Sequence, residues 1–275
     1  MEARTPAEIL AYTSDVGVTK AQRKFLPALI LSFFAGAFIA FASEGSNMAA
    51  YNLLANPDTY GLGRVLAGAV FGTGLMIVLM AGAELFTGNM LIIVAVLDKK
   101  AKARQMILSW ILVYIGNFIG SVFIACMMCH SGLFNNSAGL LGGMTIRIAA
   151  NKTALSFSSA FVLGLMCNWL VCLAVWVSFG AKDIAGKALA VFFIIGLFIT
   201  SGFEHSIANM YYIPAGIIAK QNPQWVEMAG VTAERLANLN WLTFVTKNLV
   251  PVTLGNMFGG LVLVGGLYWL ALRKK

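Results

Sequence analysis

Long apolar runs separated by short clusters of charge dominate the 275-residue chain. Six hydrophobic units can be marked, at residues 28–43 and on toward 54, then 62–97, 105–128, 154–179, 188–218 and 249–272. A helix of about twenty apolar residues crosses a hydrocarbon core about 30 Å thick. The pattern therefore predicts an all-α membrane protein of six transmembrane helices, organised as a single domain over residues 1–275.

Units two and five are longer than one straight span needs, and a polar, glycine-bearing stretch interrupts each. In unit two it is Gly82-Ala83-Glu84-Leu85-Phe86-Thr87-Gly88-Asn89-Met90; in unit five it is Gly202-Phe203-Glu204-His205-Ser206-Ile207-Ala208-Asn209-Met210. Both fit G-x-E-x-x-x-x-N-M, offset by 120 residues without a gap. Units three and six echo each other as well, with Gly116-Asn117-Phe118-Ile119-Gly120 against Gly255-Asn256-Met257-Phe258-Gly259. Residues 28–128 and 154–272 thus read as two three-helix repeats. Three is odd, so the second copy crosses the membrane in the opposite sense. Inverted repeats with one broken helix each place a binding or conduction site at the bilayer midplane, because broken backbone at that depth must be buried in protein or line a wet cavity.

Composition sharpens this picture. The chain is 59% hydrophobic and 11% charged, whereas soluble domains carry about a quarter charged residues. A net charge of +8 would suit nucleic acid if it were clustered on one face. Here the charges lie between apolar runs, as the positive-inside rule expects of a bilayer protein, so no nucleic-acid partner is assigned. With the N-terminus inside, thirteen Lys and Arg fall on the side of both termini, the last three being Arg273, Lys274 and Lys275, against six on the other. Both termini are therefore expected in the cytoplasm, in a multi-pass protein of the cell membrane. Residues 1–24 lack the apolar core of a signal peptide. Thr5-Pro6-Ala7-Glu8 reads instead as a capping box, opening a short helix on the membrane surface or a solvated leader.

Candidate chemistry is sparse. His205, one of two histidines, lies in the second break beside Glu204, and ionisable groups at membrane depth are costly enough to suggest function. A histidine exchanging its proton near neutral pH, close to half-helix N-termini that favour anions, suits a small anion. Thr87 in the first break is its hydroxyl counterpart. Glu84 and Glu204 could form a proton relay, but accepting hydrogen bonds from backbone N–H groups freed by the breaks is the simpler role. Asn89, Asn209, Asn117 and Asn256 are expected to fix the loops ahead of contacting substrate. Cys126-Met127-Met128-Cys129-His130 matches a haem-attachment spacing, but it continues an apolar helix. No metal, cofactor or enzymatic constellation is predicted. The four cysteines are expected as buried free thiols.

The stretch Ser201-Gly202-Phe203-Glu204-His205-Ser206-Ile207-Ala208-Asn209-Met210 resembles the formate/nitrite transporter family, as do Val171-Cys172-Leu173-Ala174-Val175-Trp176 and Asn248-Leu249-Val250-Pro251-Val252-Thr253-Leu254-Gly255-Asn256. The resemblance implies an aquaporin-like fold, a homopentamer with one pore per subunit, and passage of formate, nitrite or hydrosulfide. It places the family's central histidine on His205 and its loop threonine on Thr87. Apolar constriction residues fall on Phe71, Leu75, Leu85 and Phe198, a vestibule lysine on Lys152, and pathway asparagines on Asn168 and Asn256. Glu84 and Gly88 stand where formate channels tend to carry aspartate and serine, which points toward the branch that includes hydrosulfide channels. The alternatives are an aquaporin-type channel for neutral solutes, whose Asn-Pro-Ala motifs are missing here, and an intramembrane enzyme using His205 and Glu204.

Overall fold

The computed structural model describes residues 3–273, so Lys274 and Lys275 of the charge count lie outside the described residues. It opens with α1 (Pro6–Ala21), whose expected capping box is present: the Glu8 carboxylate accepts from the Thr5 N–H and hydroxyl at 2.7 and 2.9 Å. After α1 come α2 (Phe25–Ala55) and α3 (Tyr60–Met80). Beyond the first break, a 3₁₀ turn (Gly88–Ile92) runs into α4 (Ile93–Leu97), followed by α5 (Ala103–His130). The second half contains α6 (Asn136–Thr153), α7 (Phe157–Gly180), α8 (Ile184–Ser201) and, after the second break, α9 (Ser206–Ala219). Short helices α10 (Pro223–Ala229) and α11 (Ala233–Asn238) lead to a last span, Trp241–Leu272. In it α12 (Trp241–Thr243), α13 (Val250–Phe258) and α14 (Leu267–Leu272) alternate with π-helical turns at Phe244–Leu249 and Gly259–Gly266. Six helices among the described residues are long and apolar enough to cross a membrane. Their outward faces carry exposed Phe34, Phe41, Ile111, Ile119, Phe193 and Leu197, the inverse of a soluble surface.

Each repeat is held by one close helix pair. A Cβ on Gly120 would lie 2.0 Å from the Phe33 carbonyl oxygen, and one on Gly116 2.4 Å from the Ser32 Cβ, so α5 packs backbone-to-backbone on α2. In the second repeat a Cβ on Gly255 would lie 2.1 Å from the Phe161 oxygen and one on Gly259 2.2 Å from the Leu165 oxygen, which joins α13 to α7 in the same way. These small-residue motifs are used inside the protomer. They are not an outward face.

Three features depart from the sequence pattern. The last span begins at Trp241, eight residues before the apolar run. Pro251, which cannot donate to the preceding turn, stands two residues after the end of the first π turn. The stretch before 154 is the buried, glycine-rich helix α6, folded against the bundle without crossing it. It is the counterpart of α1: both α1 and α6 immediately precede the first long helix of their repeat, and Lys20 and Lys152 stand at matching positions, 132 residues apart, as do Phe25 and Phe157. The repeats are thus four-part units that start earlier than residues 28 and 154.

Candidate functional site

Both breaks are built alike. Gly82 and Gly202 adopt left-handed φ values of 77° and 81°, and the amides of Ala83 and Phe203 reach back to the Val78 and Phe198 carbonyls at 2.9 and 3.3 Å. This is the Schellman ending, for which glycine is the cheapest residue. The next amides, of Glu84 and Glu204, bond the Leu31 and Leu163 carbonyls at 3.1 and 3.3 Å. One asparagine per repeat then holds the rest of each break. Asn117 accepts from the Phe86 N–H at 2.9 Å and donates to the Ser32 and Glu84 carbonyls at 2.8 and 2.9 Å. Asn256 accepts from the Ser206 N–H at 2.9 Å and donates to the Gly164 and Glu204 carbonyls at 2.7 and 3.0 Å.

Asn117 and Asn256 thus fix the breaks, while the loop-fixing expected of Glu84, Glu204, Asn89 and Asn209 needs correction. Among the described residues, neither glutamate accepts a freed backbone N–H. Glu84 is paired with Lys20 at 3.0 Å and Arg23 at 3.1 Å, and accepts from the Asn89 amide at 2.8 Å. Glu204 is paired with Lys152 at 2.7 Å and accepts from Asn209 at 2.7 Å and Asn248 at 3.2 Å. The reason is charge: a carboxylate at this depth needs a cation more than an amide does, whereas a neutral asparagine can serve N–H and C=O groups together. Asn256, expected on the substrate pathway, is consumed by the break. Asn168 likewise donates to the Asn256 and Thr87 carbonyls at 2.7 and 3.2 Å, and neither asparagine lines the neck between the breaks or the vestibules on either side of it. The sequence reading missed Lys20, Arg23 and Asn248, which lie far along the chain from the carboxylates they serve.

Between the breaks lies a small space of about 10 Å³, lined by Ile39, Phe71, Leu75, Leu85, Val171, Ile195, Phe198 and His205. Six of these form three pseudo-twofold pairs: Ile39 with Val171, Leu75 with Ile195, and Leu85 with His205. The only polar partner in the set is His205. The four residues expected as constrictions all line this space, and Phe71 and Phe198 meet edge to face at 5.6 Å. Room for about one water-sized sphere, with apolar walls, gives a dry neck.

His205 caps α9. Its Nδ1 accepts from the Ala208 N–H at 3.1 Å, and its Nε2 lies 2.9 Å from Thr87 Oγ1. An Nδ1 that accepts a backbone N–H carries no proton, so the neutral ring holds its proton on Nε2 and donates it to Thr87. The Thr87 hydroxyl proton is left for another acceptor. His130, by contrast, bonds the Cys126 carbonyl of its own helix at 2.8 Å, so the Cys-x-x-Cys-His spacing ends as helix packing.

A vestibule opens on each side of the neck. On the α1 side a cavity of about 210 Å³ is lined by Lys20, Arg23, Lys187 and Glu84, and reaches Leu75 and Leu85. On the far side a cavity of about 180 Å³ is lined by Arg64, Arg147, Lys152 and Glu204, and reaches Phe198 and His205. Each mouth carries three cations against one carboxylate. Such clefts concentrate anions.

The chain as a whole is similar to known proteins. The family model for formate/nitrite transporters matches residues 7–270. The chain is 37% identical to the formate channel FocA of Haemophilus influenzae over 96% of its length and 93% of that protein. It is 34% identical to FocA of Escherichia coli K12 over 98% and 95%. A solved structure described as a pentameric formate channel with formate bound superposes with a TM-score of 0.80 at 36% identity, covering 90% of this chain and 97% of that one. These relatives are transport proteins and not enzymes. With the match running nearly end to end and the fold shared, this chain belongs to the formate/nitrite transporter family.

Proposed function

We propose that the protein conducts small monovalent anions, formate foremost, with nitrite and hydrosulfide as further candidates. The pore would run through each protomer of a homopentamer in the cell membrane, with both termini cytoplasmic. The observation that carries the proposal is His205, bonded to the buried Thr87 and set as the one polar residue in an otherwise apolar neck between two cation-lined mouths. The formate channels among the relatives support formate as solute, and the pentameric structural relative supports the assembly. No observation favours a neutral-solute channel or an enzyme.

The neck sets the energetic problem. Moving a bare ion from water into a medium of low dielectric costs of order 20 kcal/mol in the ideal limit. Lys20 and Lys152 raise the anion's concentration at either mouth, while Phe71, Leu75, Leu85 and Phe198 exclude its hydration shell. His205 and Thr87 supply the compensation. The ring donates to Thr87 through Nε2, and the Thr87 hydroxyl passes its own proton as a hydrogen bond to the solute oxygen. Full transfer of a proton from imidazolium to the anion would first require Nδ1 to leave the Ala208 amide and take up a proton. Anion passage eased by hydrogen bonding is thus the default mode, and proton-coupled passage needs a local opening of the α9 cap. Liposome flux of formate, nitrite, hydrosulfide, chloride and water in parallel tests the proposal. Water flux without anion flux would reject it.

A further inference from the structure

The far vestibule holds a charged group that the pathway above leaves unassigned. Of its cations, Lys152 is committed to Glu204 at 2.7 Å, and Arg147 donates through Nε to the Ala229 carbonyl of α10 at 2.7 Å. Arg64, half-buried on α3, is held at two atoms where Arg147 is held at one. Its Nη2 and Nε donate to the Ile199 and Thr200 carbonyls, the latter at 3.4 Å, at the C-terminal end of α8. Those residues directly follow Phe198 of the neck. Among the described residues neither arginine has a carboxylate partner, and Arg64 is the one whose guanidinium plane two bonds fix.

The atoms used decide what is left over. Nε and Nη2 form the side edge of the guanidinium, and that edge is occupied by the two carbonyls, which fixes the plane of the group. The end edge, formed by Nη1 and the second Nη2 hydrogen, keeps its fork of parallel N–H donors. Such a fork matches two oxygens on one atom, whereas a lysine ammonium presents a point charge without that shape. Arg64 lines the same cavity as His205 and Phe198, so a solute held there lies in the vestibule that leads to the neck.

We infer that Arg64 is an oxyanion station of the far vestibule: its free end edge binds a planar two-oxygen anion such as formate or nitrite side by side, and it does so better than a single-centre anion such as hydrosulfide or chloride. The inference rests on the anion-channel reading and adds to it a shape preference. Arg64 is also a second reason for the end of α8 to be ordered, since the same group that holds the solute pins the carbonyls beside Phe198. A lysine at this position keeps the charge and one bond to a carbonyl but loses the fork.

The test is concentration-dependent flux in proteoliposomes for the parent, Arg64→Lys and Arg64→Gln, with formate, nitrite, hydrosulfide and chloride applied to the far face. Losing one charge-assisted hydrogen bond corresponds to about a tenfold change in affinity. Arg64→Lys is expected to raise the half-saturating concentration of formate and nitrite about tenfold and to leave hydrosulfide and chloride within about twofold. Arg64→Gln, which lacks the charge, should weaken all four anions. Equal changes for all four in Arg64→Lys, or no change for any, would overturn the station. Gel filtration of each variant checks that the assembly is intact. If it is lost in Arg64→Lys, formate protection of Arg64 from phenylglyoxal in the parent decides instead: protection by formate and not by chloride is expected, and equal protection by both overturns it. A parent channel that passes hydrosulfide but no formate would refute the solute assignment, a result separate from any difference between variants.

Discussion

Replacing Asn117 or Asn256 by alanine should destabilise the protein by similar amounts, because each side chain does the same work at its own break. Asn256→Ala orphans the N–H of Ser206 and the carbonyl of Glu204, and takes a second bond from the Gly164 carbonyl, which keeps its place inside α7. Asn117→Ala orphans the N–H of Phe86 and the carbonyl of Glu84, and takes a second bond from the Ser32 carbonyl inside α2. All six bonds are buried or run to a fully buried amide. A buried polar group left unpaired costs about 1–3 kcal/mol, so two give a gross loss of roughly 2–6 kcal/mol. Water entering from the vestibule can recover part of this, so the lower end, about 2 kcal/mol, is expected for each. Asn168→Ala, which takes one bond each from the Thr87 and Asn256 carbonyls and orphans no N–H, should cost less, since the Thr87 carbonyl keeps the Cys172 thiol as a donor. Reversible unfolding in mixed detergent, followed by tryptophan fluorescence, measures all three. Values within about 0.5 kcal/mol of the parent for both large substitutions, the range of ordinary surface changes, would refute the reasoning.

Further expectations follow from the packing, the neck and the α1 cap. Gly120→Ala puts a methyl 2.0 Å from the Phe33 oxygen and should cost about 3 kcal/mol or more by forcing α2 and α5 apart, read as loss of the assembled peak on gel filtration; an unchanged profile and stability would contradict the close pairing. Leu85→Ala and Phe198→Ala each remove one wall of the neck and should admit larger carboxylates such as acetate, read as relative flux; an unaltered selectivity series would move the filter elsewhere. Glu8, on the fully exposed α1 cap, has its carboxyl held below the usual range by the Thr5 backbone N–H and hydroxyl. Its folded-state pKa is lowered, so its contribution is complete above the ordinary carboxylate pKa and is lost as pH falls through the folded value. Amide exchange in Pro6–Ala21, corrected for intrinsic rates, should therefore speed up on acidification below about pH 4 in the parent. In Glu8→Gln that extra response should be absent.

Much of the fold was legible because the bilayer imposes length. Six apolar runs and two interruptions are enough to place the spans and the breaks, and the G-x-E-x-x-x-x-N-M match exposes the repeat because both breaks solve the same backbone problem with the same residues. The constriction set Phe71, Leu75, Leu85 and Phe198, carried by family resemblance, gathers in one space with His205. What was not legible depends on contacts across the chain. Lys20 meets Glu84 across 64 residues, and its equivalence to Lys152 emerges only when α2 and α7 are superposed, since the offset there is 132 and at the breaks 120. Helix α6 escaped notice because glycine and alanine, not a long apolar run, let it lie against its neighbours. The glutamates left the freed amides to asparagine because each could find a cation. Spacing alone does not encode that.

The central claim is that an anion crosses through the His205–Thr87 neck of each protomer. The most direct test is formate uptake into proteoliposomes by the parent and by His205→Phe, across a pH series, with assembly confirmed for both. The phenyl ring fills the neck without a donor for Thr87, so uptake should vanish at every pH while the assembly persists. Uptake in His205→Phe equal to that of the parent at every pH would contradict the claim and place the pathway outside this neck.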